Sequence, residues 1–242
     1  NYISKKFNKK FNTDFQKILD WSIKNSSDFW DSFWDFTRID GIKGSKKIKR
    51  SKVFYKNLFL PGSKLNFANN LLSKYDKKKA ATFISENGFR EERSWQKLNQ
   101  NSNKLVQFLK DKKINQKDRV AAYMPNMPET VIIMLATSSI GAIFSSASPD
   151  FGVDGVLDRF GQIEPKILLT TDGYWYNGKE VNITRKVSDV VKSLPSVERV
   201  VVTPLLGIKT EYYIDKFINY NVVLEKHFTK EIVFEPLGLD EP

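Results

Sequence analysis

Residues 119–179 read RVAAYMPNMPETVIIMLATSSIGAIFSSASPDFGVDGVLDRFGQIEPKILLTTDGYWYNGK, and the alternation within this run decides the fold. Arg119–Met124 is a short apolar strand. Pro125-Asn126-Met127-Pro128 is a loop, and Pro128 stands at the first turn of a helix, where its missing N–H costs nothing. That helix runs to about Ile140. Gly141 breaks it, and Ile143–Ser146 reads as a second strand. Asp154–Ile163 is helical and stops before Pro165, and Lys166–Thr171 is a continuous apolar strand. Outside the quoted run, a helix from about Ile183 to Leu194 ends at Pro195, and Arg199–Thr203 is another buried strand. Short strands that are apolar on both faces and alternate with helices define an α/β class, with a mostly parallel sheet flanked by helices. The crossovers of such a sheet are right-handed. The run from Ile208 to Pro236 has no decisive pattern.

Towards the N-terminus the pattern changes at about Asp76. Ala80–Ser85 is a strand, Asn87-Gly88 a tight turn, and Ser94 the N-cap of a helix carrying Trp95, Leu98, Leu105, Phe108 and Leu109. Residues 1–76 read as a small, mainly helical extension. Ser26 or Ser27 caps a helix that begins near Asp28. Phe29, Trp30, Phe33 and Trp34 form an aromatic stripe on it, expected in a core, with Asp28, Asp31 and Asp35 facing elsewhere. Gly41–Lys52 reads as a basic linker. Leu60-Pro61-Gly62 is a turn, and a short helix holds Leu65, Ala68, Asn69 and Leu72. The expected division is therefore 1–76 and 77–242.

The 242 residues carry a net charge of +11 and no cysteine. The length suits one sizeable domain with an extension. A disulfide framework and a thiolate metal site are excluded, and a reducing, cytoplasmic setting fits. Thr130–Ser148, the most apolar stretch, carries serines, threonines and Gly141, so a buried helix followed by a strand is expected rather than a membrane span. The basic residues cluster at Lys5, Lys6, Lys9 and Lys10 and again over 43–52. They are interspersed with Gly, Ser and Asn and form no groove-reading face, so a solvated surface is preferred over nucleic-acid binding. The chain begins at Asn1 and ends on FEPLGLDEP, and is read as the front part of a longer protein.

G-x-G-x-x-G, G-x-x-x-x-G-K-[ST] and G-x-S-x-G are all absent. The one histidine, His227, is given a surface or packing role. Asp150, Asp154 and Asp158 recur every four residues, but their place at a helix start suits the helix dipole better than a metal. Two constellations remain. Ile143-Phe144-Ser145-Ser146-Ala147-Ser148-Pro149 puts small residues where a strand ends, the edge at which open α/β sheets bind ligands; a tight corner requires the same residues. Asp172-Gly173-Tyr174-Trp175-Tyr176-Asn177-Gly178-Lys179 follows the next strand. Its aromatics can stack on a base and Lys179 can meet a phosphate as a point charge, or the segment is a packed surface hairpin.

The quoted run resembles the acetoacetate-activating branch of the adenylate-forming acyl-CoA synthetase and luciferase superfamily. SPDFGVDGVLDRFGQIEPK and DGYWYNGK carry the resemblance to that branch, and FWDSFWDF and LPGSKLNFANNLL resemble the extension that precedes the AMP-binding domain. The likeness covers nearly the whole chain and is weakest in 1–13, 37–57 and 204–235. It implies that acetoacetate and ATP form an acyl-adenylate and diphosphate, and that coenzyme A then displaces AMP, with Mg²⁺ meeting the phosphate charge. The family's phosphate loop, later motifs and C-terminal lid are not among these residues. The resemblance therefore implies no catalytic residue here, an inactive fragment taken alone, and a phosphate loop shortly after Pro242. The Phe-Gly-Gly corner and Arg-x-Gly-Arg turn of the related acetyl-CoA synthetases, which contact the nucleotide end of coenzyme A there, map in part. Phe144 matches, Ser145 and Ser146 replace glycines, Tyr176 stands for an arginine, Gly178 matches, and Lys179 keeps the charge. The implied partners are small-molecule substrates and the remainder of the same protein, with no nucleic acid and no membrane. A basic module for nucleic acid or an anionic surface, and a scaffolding α/β domain, are the competing readings.

Overall fold

The computed structural model describes residues 2–11, 14–208 and 215–241. It divides into two compact units, Asn1–Asn66 with Pro236–Pro242, and Phe67–Glu235.

The first unit holds α1 (Tyr2–Phe7), α2 (Phe15–Lys24), α3 (Ser26–Thr37) and the two-residue strands β1 (Gly41–Ile42), β2 (Ile48–Lys49), β3 (Leu58–Phe59) and β4 (Lys64–Leu65). Asp14 caps α2 by accepting the Lys17 N–H at 3.1 Å. The helix α3 starts at Ser26 rather than near Asp28, and its N-cap is Asn25, not Ser26 or Ser27. The Asn25 side chain makes no cap bond, because it donates to the Trp21 carbonyl at the end of α2 (3.0 Å). The aromatic stripe on α3 is only partly core. Trp34 is buried, whereas Trp30 and Phe33 are exposed by 43% and 42%, since the short helices beside α3 cover only part of its apolar face. Asp28, Asp31 and Asp35 pair with Lys47, Lys43 and Lys6 at 2.7, 2.7 and 2.7 Å. The Lys43 and Lys6 ammonium groups hold the Asp35 carboxyl below the usual carboxylate range. Gly41–Lys52 is thus not a plain linker, since it contains β1 and β2 and two lysines anchored to α3. The turn at Leu60–Gly62 is present, with the Ser63 N–H bonded to the Leu60 carbonyl at 3.0 Å. β4 lies between β1 and the closing strand Leu237–Gly238, both antiparallel to it.

The second unit opens with α4 (Phe67–Leu71) and the hairpin of β5 (Lys79–Ile84) and β6 (Arg90–Ser94). α5 (Trp95–Asp111) follows, capped by Ser94, whose hydroxyl accepts the Lys97 N–H at 3.1 Å. Then come β7 (Arg119–Tyr123), α6 (Pro128–Ser139), β8 (Ile143–Ala147), α7 (Val153–Ile163), β9 (Ile167–Thr171), β10 (Gly173–Tyr176), β11 (Lys179–Asn182), α8 (Thr184–Ser193) and β12 (Arg199–Thr203). Within the stretch that had no decisive pattern, Lys209–Ile214 lie outside the described residues, and the rest supplies β13 (Phe217–Asn219) and α9 (Tyr220–Lys226).

Five strands form one sheet in the order β13-β12-β9-β7-β8, and every pair is parallel. Successive residues of a strand point to opposite faces, and here they feed two separate cores. Val120, Ala122, Ile167, Leu169 and Val201 join α4, α5, α6 and α9 on one face. Ala121, Tyr123, Leu168, Val200 and Val202 join α7 and α8 on the other. A strand buried on both sides cannot show the polar alternation of a half-exposed one, which is why these read as continuous apolar runs. His227 packs, as expected from the sequence: its ring bonds the Val223 carbonyl and the Asp111 carboxylate and stands edge-on to Phe108. Among the described residues no helix is long and apolar enough to cross a membrane.

Candidate functional site

The chain runs from β7 outwards to β8 through α6 on one face, then returns through α7 on the other face to β9, on the far side of β7. The direction of winding therefore reverses between β7 and β9. At such a switch point the connections leave the carboxyl ends of neighbouring strands in opposite directions and open a crevice, the usual ligand site of an open α/β sheet. The carboxyl ends of β8 and β9 lie on this same edge, one strand apart, as Ala147 is level with Tyr123 and Tyr123 with Thr170. The Thr170 hydroxyl donates to the Tyr123 carbonyl at 2.9 Å, tying the two strands at the crevice.

The candidate residues fall into two sets, of which only the hairpin set lies beyond the carboxyl end of its strand. Phe144, Ser145 and Ser146 lie within β8, level with Val120, Ala121 and Ala122. Phe144 packs against the core, and Ser146 is exposed. The strand continues one residue past its expected end, so the corner proper is Ser148–Gly152. Tyr176, Gly178 and Lys179 lie on the β10–β11 hairpin, where Tyr176 pairs with Lys179 across Asn177-Gly178. Both turn residues have positive φ, 50° and 72°, the geometry of the two-residue turn that twists with its strands and that Asn-Gly supplies. Tyr176 and Lys179 are exposed, and among the described residues no carboxylate pairs with Lys179. No hydrogen bond or ion pair links the two sets directly.

The corner Ser148–Gly152, by contrast, is held by groups that the sequence pattern did not single out, and it approaches the hairpin through Asp150. The Tyr123 hydroxyl, wholly buried, donates to the Phe151 carbonyl, with the Pro149 carbonyl 3.2 Å away. The Lys186 ammonium on α8 reaches the same two carbonyls at 3.3 and 3.0 Å. The guanidinium of Arg159 lies 4.1 Å from the Phe151 ring centroid. Asp150 accepts from Ser148 at 2.9 Å and faces Tyr174 on the hairpin; burial, with this carboxylate beside it, pushes the Tyr174 phenol up to about 12.

The base of the hairpin is fixed by Asp172. Its buried carboxylate accepts the N–H groups of Leu205, Leu206 and Ile208 at 2.8, 3.0 and 2.8 Å, folding the loop after β12 back onto the edge. Next to it Gly173 allows a close approach, since a Cβ there would stand 2.4 Å from Leu206 Cδ1. Three backbone donors offset the cost of burying one carboxylate. A single buried Asp after an apolar strand was the only sequence signal for this role. Asp150, Asp154 and Asp158 do not form a metal site, and among the described residues no group of three acidic or histidine side chains is placed to hold one.

The switch-point edge of the parallel sheet thus carries an aromatic hairpin on which Lys179 and Glu180 are both exposed. The family model for AMP-binding enzymes matches residues 72–226, and the chain belongs to that family. It is 43% identical over 194 residues to the acetoacetyl-coenzyme A synthetase of Rhizobium meliloti (strain 1021), covering 80% of this chain and 30% of the relative. It is 37% identical over 245 residues to the acetoacetyl-CoA synthetase of Gallus gallus, covering 95% of this chain and 36% of the relative. Among solved structures, acetoacetyl-CoA synthetase from Streptomyces lividans superposes with a TM-score of 0.90 at 26% identity, over 100% of this chain and 37% of that one. The chain spans about a third of the length of these relatives.

Proposed function

We propose that the complete polypeptide is an acid–thiol ligase that converts acetoacetate, ATP and coenzyme A to acetoacetyl-CoA, AMP and diphosphate. The observation that carries this reading is the 43% identity to an acetoacetyl-coenzyme A synthetase over 80% of the chain. Residues 1–76 are assigned as the N-terminal extension and 77–242 as the first part of the adenylation domain, and a cytoplasmic location is proposed with them.

In this reading the described residues serve the second half-reaction. Lys179, exposed on the hairpin and with no carboxylate partner among the described residues, meets the phosphate-rich nucleotide end of coenzyme A as a point charge. Tyr176 beside it supplies a stacking face in place of a cation, and Gly178 sets the turn. Phe144, Ser145 and Ser146 belong to the same site, with serine hydroxyls where the related acetyl-CoA synthetases have glycine. Mg²⁺, which would neutralise phosphate charge in the first half-reaction, finds no ligand set among the described residues, and its ligands are assigned to the rest of the enzyme. ATP binding is assigned there too, to a phosphate loop.

The test is product identity. Given acetoacetate, ATP, Mg²⁺ and coenzyme A, the complete polypeptide is expected to form thioester, AMP and diphosphate in equal amounts. Release of ADP and phosphate, or turnover independent of acetoacetate, would overturn the reading.

A further inference from the structure

Apart from the exposed Lys46, the basic residues of 43–52 and its continuation divide into two sets. Lys43 and Lys47 are bound to Asp28, Asp31 and Asp35 of α3. Lys49, Arg50, Lys52 and Lys56 are exposed, and among the described residues no carboxylate pairs with any of them. Arg50 donates to the Ser26 hydroxyl at 3.3 Å. These four cations surround the tip of the β2–β3 hairpin, where the chain turns through the short 3₁₀ segment Phe54–Lys56. At the tip Phe54 and Tyr55 are 91% and 79% exposed, with Val53 at 40% behind them.

The tip is built, not frayed. Asn57 donates its side-chain amide to the Phe54 carbonyl at 2.7 Å and accepts the Ser51 N–H at 3.0 Å. The Ser51 hydroxyl accepts the Val53 N–H at 3.1 Å. The Lys56 and Asn57 N–H groups close the turn onto the Val53 and Phe54 carbonyls at 3.0 and 3.2 Å. Two aromatic rings are thus held exposed to water, flanked along the hairpin by four cations that have no carboxylate partner among the described residues.

We propose that this tip is a peripheral docking surface for an anionic lipid bilayer. Phe54 and Tyr55 enter the headgroup layer, where aromatic rings partition, and Lys49, Arg50, Lys52 and Lys56 bind anionic headgroups. This is a surface contact, not a span, and it departs from the sequence expectation that the protein has no membrane partner. Single-stranded nucleic acid also uses aromatics and cations, but its backbone tracks a charged groove with bases stacked along it. Two neighbouring rings on a projecting turn suit a planar surface better. The proposal is independent of the ligase reading.

The test is co-sedimentation of the complete polypeptide with vesicles of phosphatidylcholine alone and of phosphatidylcholine mixed with phosphatidylserine. Binding is expected to the mixed vesicles only, and to fall as salt is raised. Lys52→Glu/Lys56→Glu and Phe54→Ala/Tyr55→Ala are each expected to weaken it by about tenfold or more. Lys110→Glu/Lys113→Glu, exposed cations of the second unit, should change it by less than about twofold. The proposal is overturned by absence of binding, by equal losses in the control pair, or by tip-dependent binding of a single-stranded oligonucleotide that displaces the vesicles. It is also overturned if the tip variants lower the melting temperature by several degrees, which would mean that the complete polypeptide covers the tip itself.

Discussion

Replacing Glu129 with Ala is expected to destabilise the folded protein by about 3–5 kcal/mol, the cost of leaving a buried charge without its partner. Glu129 sits in the first turn of α6, where the helix dipole favours a negative side chain, and its side chain is only 4% exposed. It holds Arg93, at the end of β6, through an Nη2–Oε1 contact of 2.9 Å, and the Arg93 side chain is 18% exposed. Glu91 also pairs with Arg93. It cannot replace Glu129, because it lies on the same strand as Arg93 and makes no link to α6. Tyr220 of α9 is buried against the same group, and burial raises its phenol pKa. The cluster thus joins β6, α6 and α9, and its loss reaches three elements. Glu129→Gln, which keeps an acceptor for Arg93, should recover a large part of the stability. Thermal unfolding of the complete polypeptide measures both, with a drop of a few degrees expected for the alanine variant. Equal melting temperatures for Glu129→Ala and the parent would show that Arg93 is solvated in the native state.

Replacing Lys179 with Ala is expected to raise the KM for coenzyme A by about tenfold or more, the worth of one charge-assisted contact. Acid-dependent diphosphate exchange should stay nearly unchanged, because coenzyme A enters only after the adenylate has formed. Lys179 flanks a two-residue turn whose geometry is set by Asn177 and Gly178 and not by the lysine side chain, so its removal should leave the hairpin folded. Lys179→Arg keeps the charge and should retain most of the affinity. Loss in both half-reactions, or in neither, would return the YWYNGK turn to a packing role.

Much of this fold was legible because each central strand is buried on both faces and each helix is bounded by Pro, Gly or a cap. Pro128, Gly141, Pro165 and Pro195 marked elements that the structure confirms to within a residue or two. Strand order was not legible. Nothing local in Lys166–Thr171 says that it pairs with β7 and not with β8, so the switch point between β7 and β9 emerged only from the topology. The groups that hold the candidate site together were hidden for a related reason. Tyr123 reads as one more apolar strand residue and Lys186 as one more surface lysine, and they meet at the Pro149 and Phe151 carbonyls from elements more than thirty positions apart. The aromatic stripe on α3 was over-read as core, since periodicity shows that a helix has an apolar face and not what covers it. In the same way the lysines of 43–52 looked uniform, whereas α3 neutralises two of them and leaves the tip charged.

In the proposed reaction the complete polypeptide activates acetoacetate by adenylation before coenzyme A enters. The most direct measurement is the return of labelled diphosphate into ATP. With acetoacetate, Mg²⁺ and no coenzyme A, the complete polypeptide is expected to catalyse this exchange, and the 242-residue chain alone is expected to show none above a no-protein control. Exchange by the 242-residue chain, or a requirement for coenzyme A before any exchange by the complete polypeptide, would contradict the account.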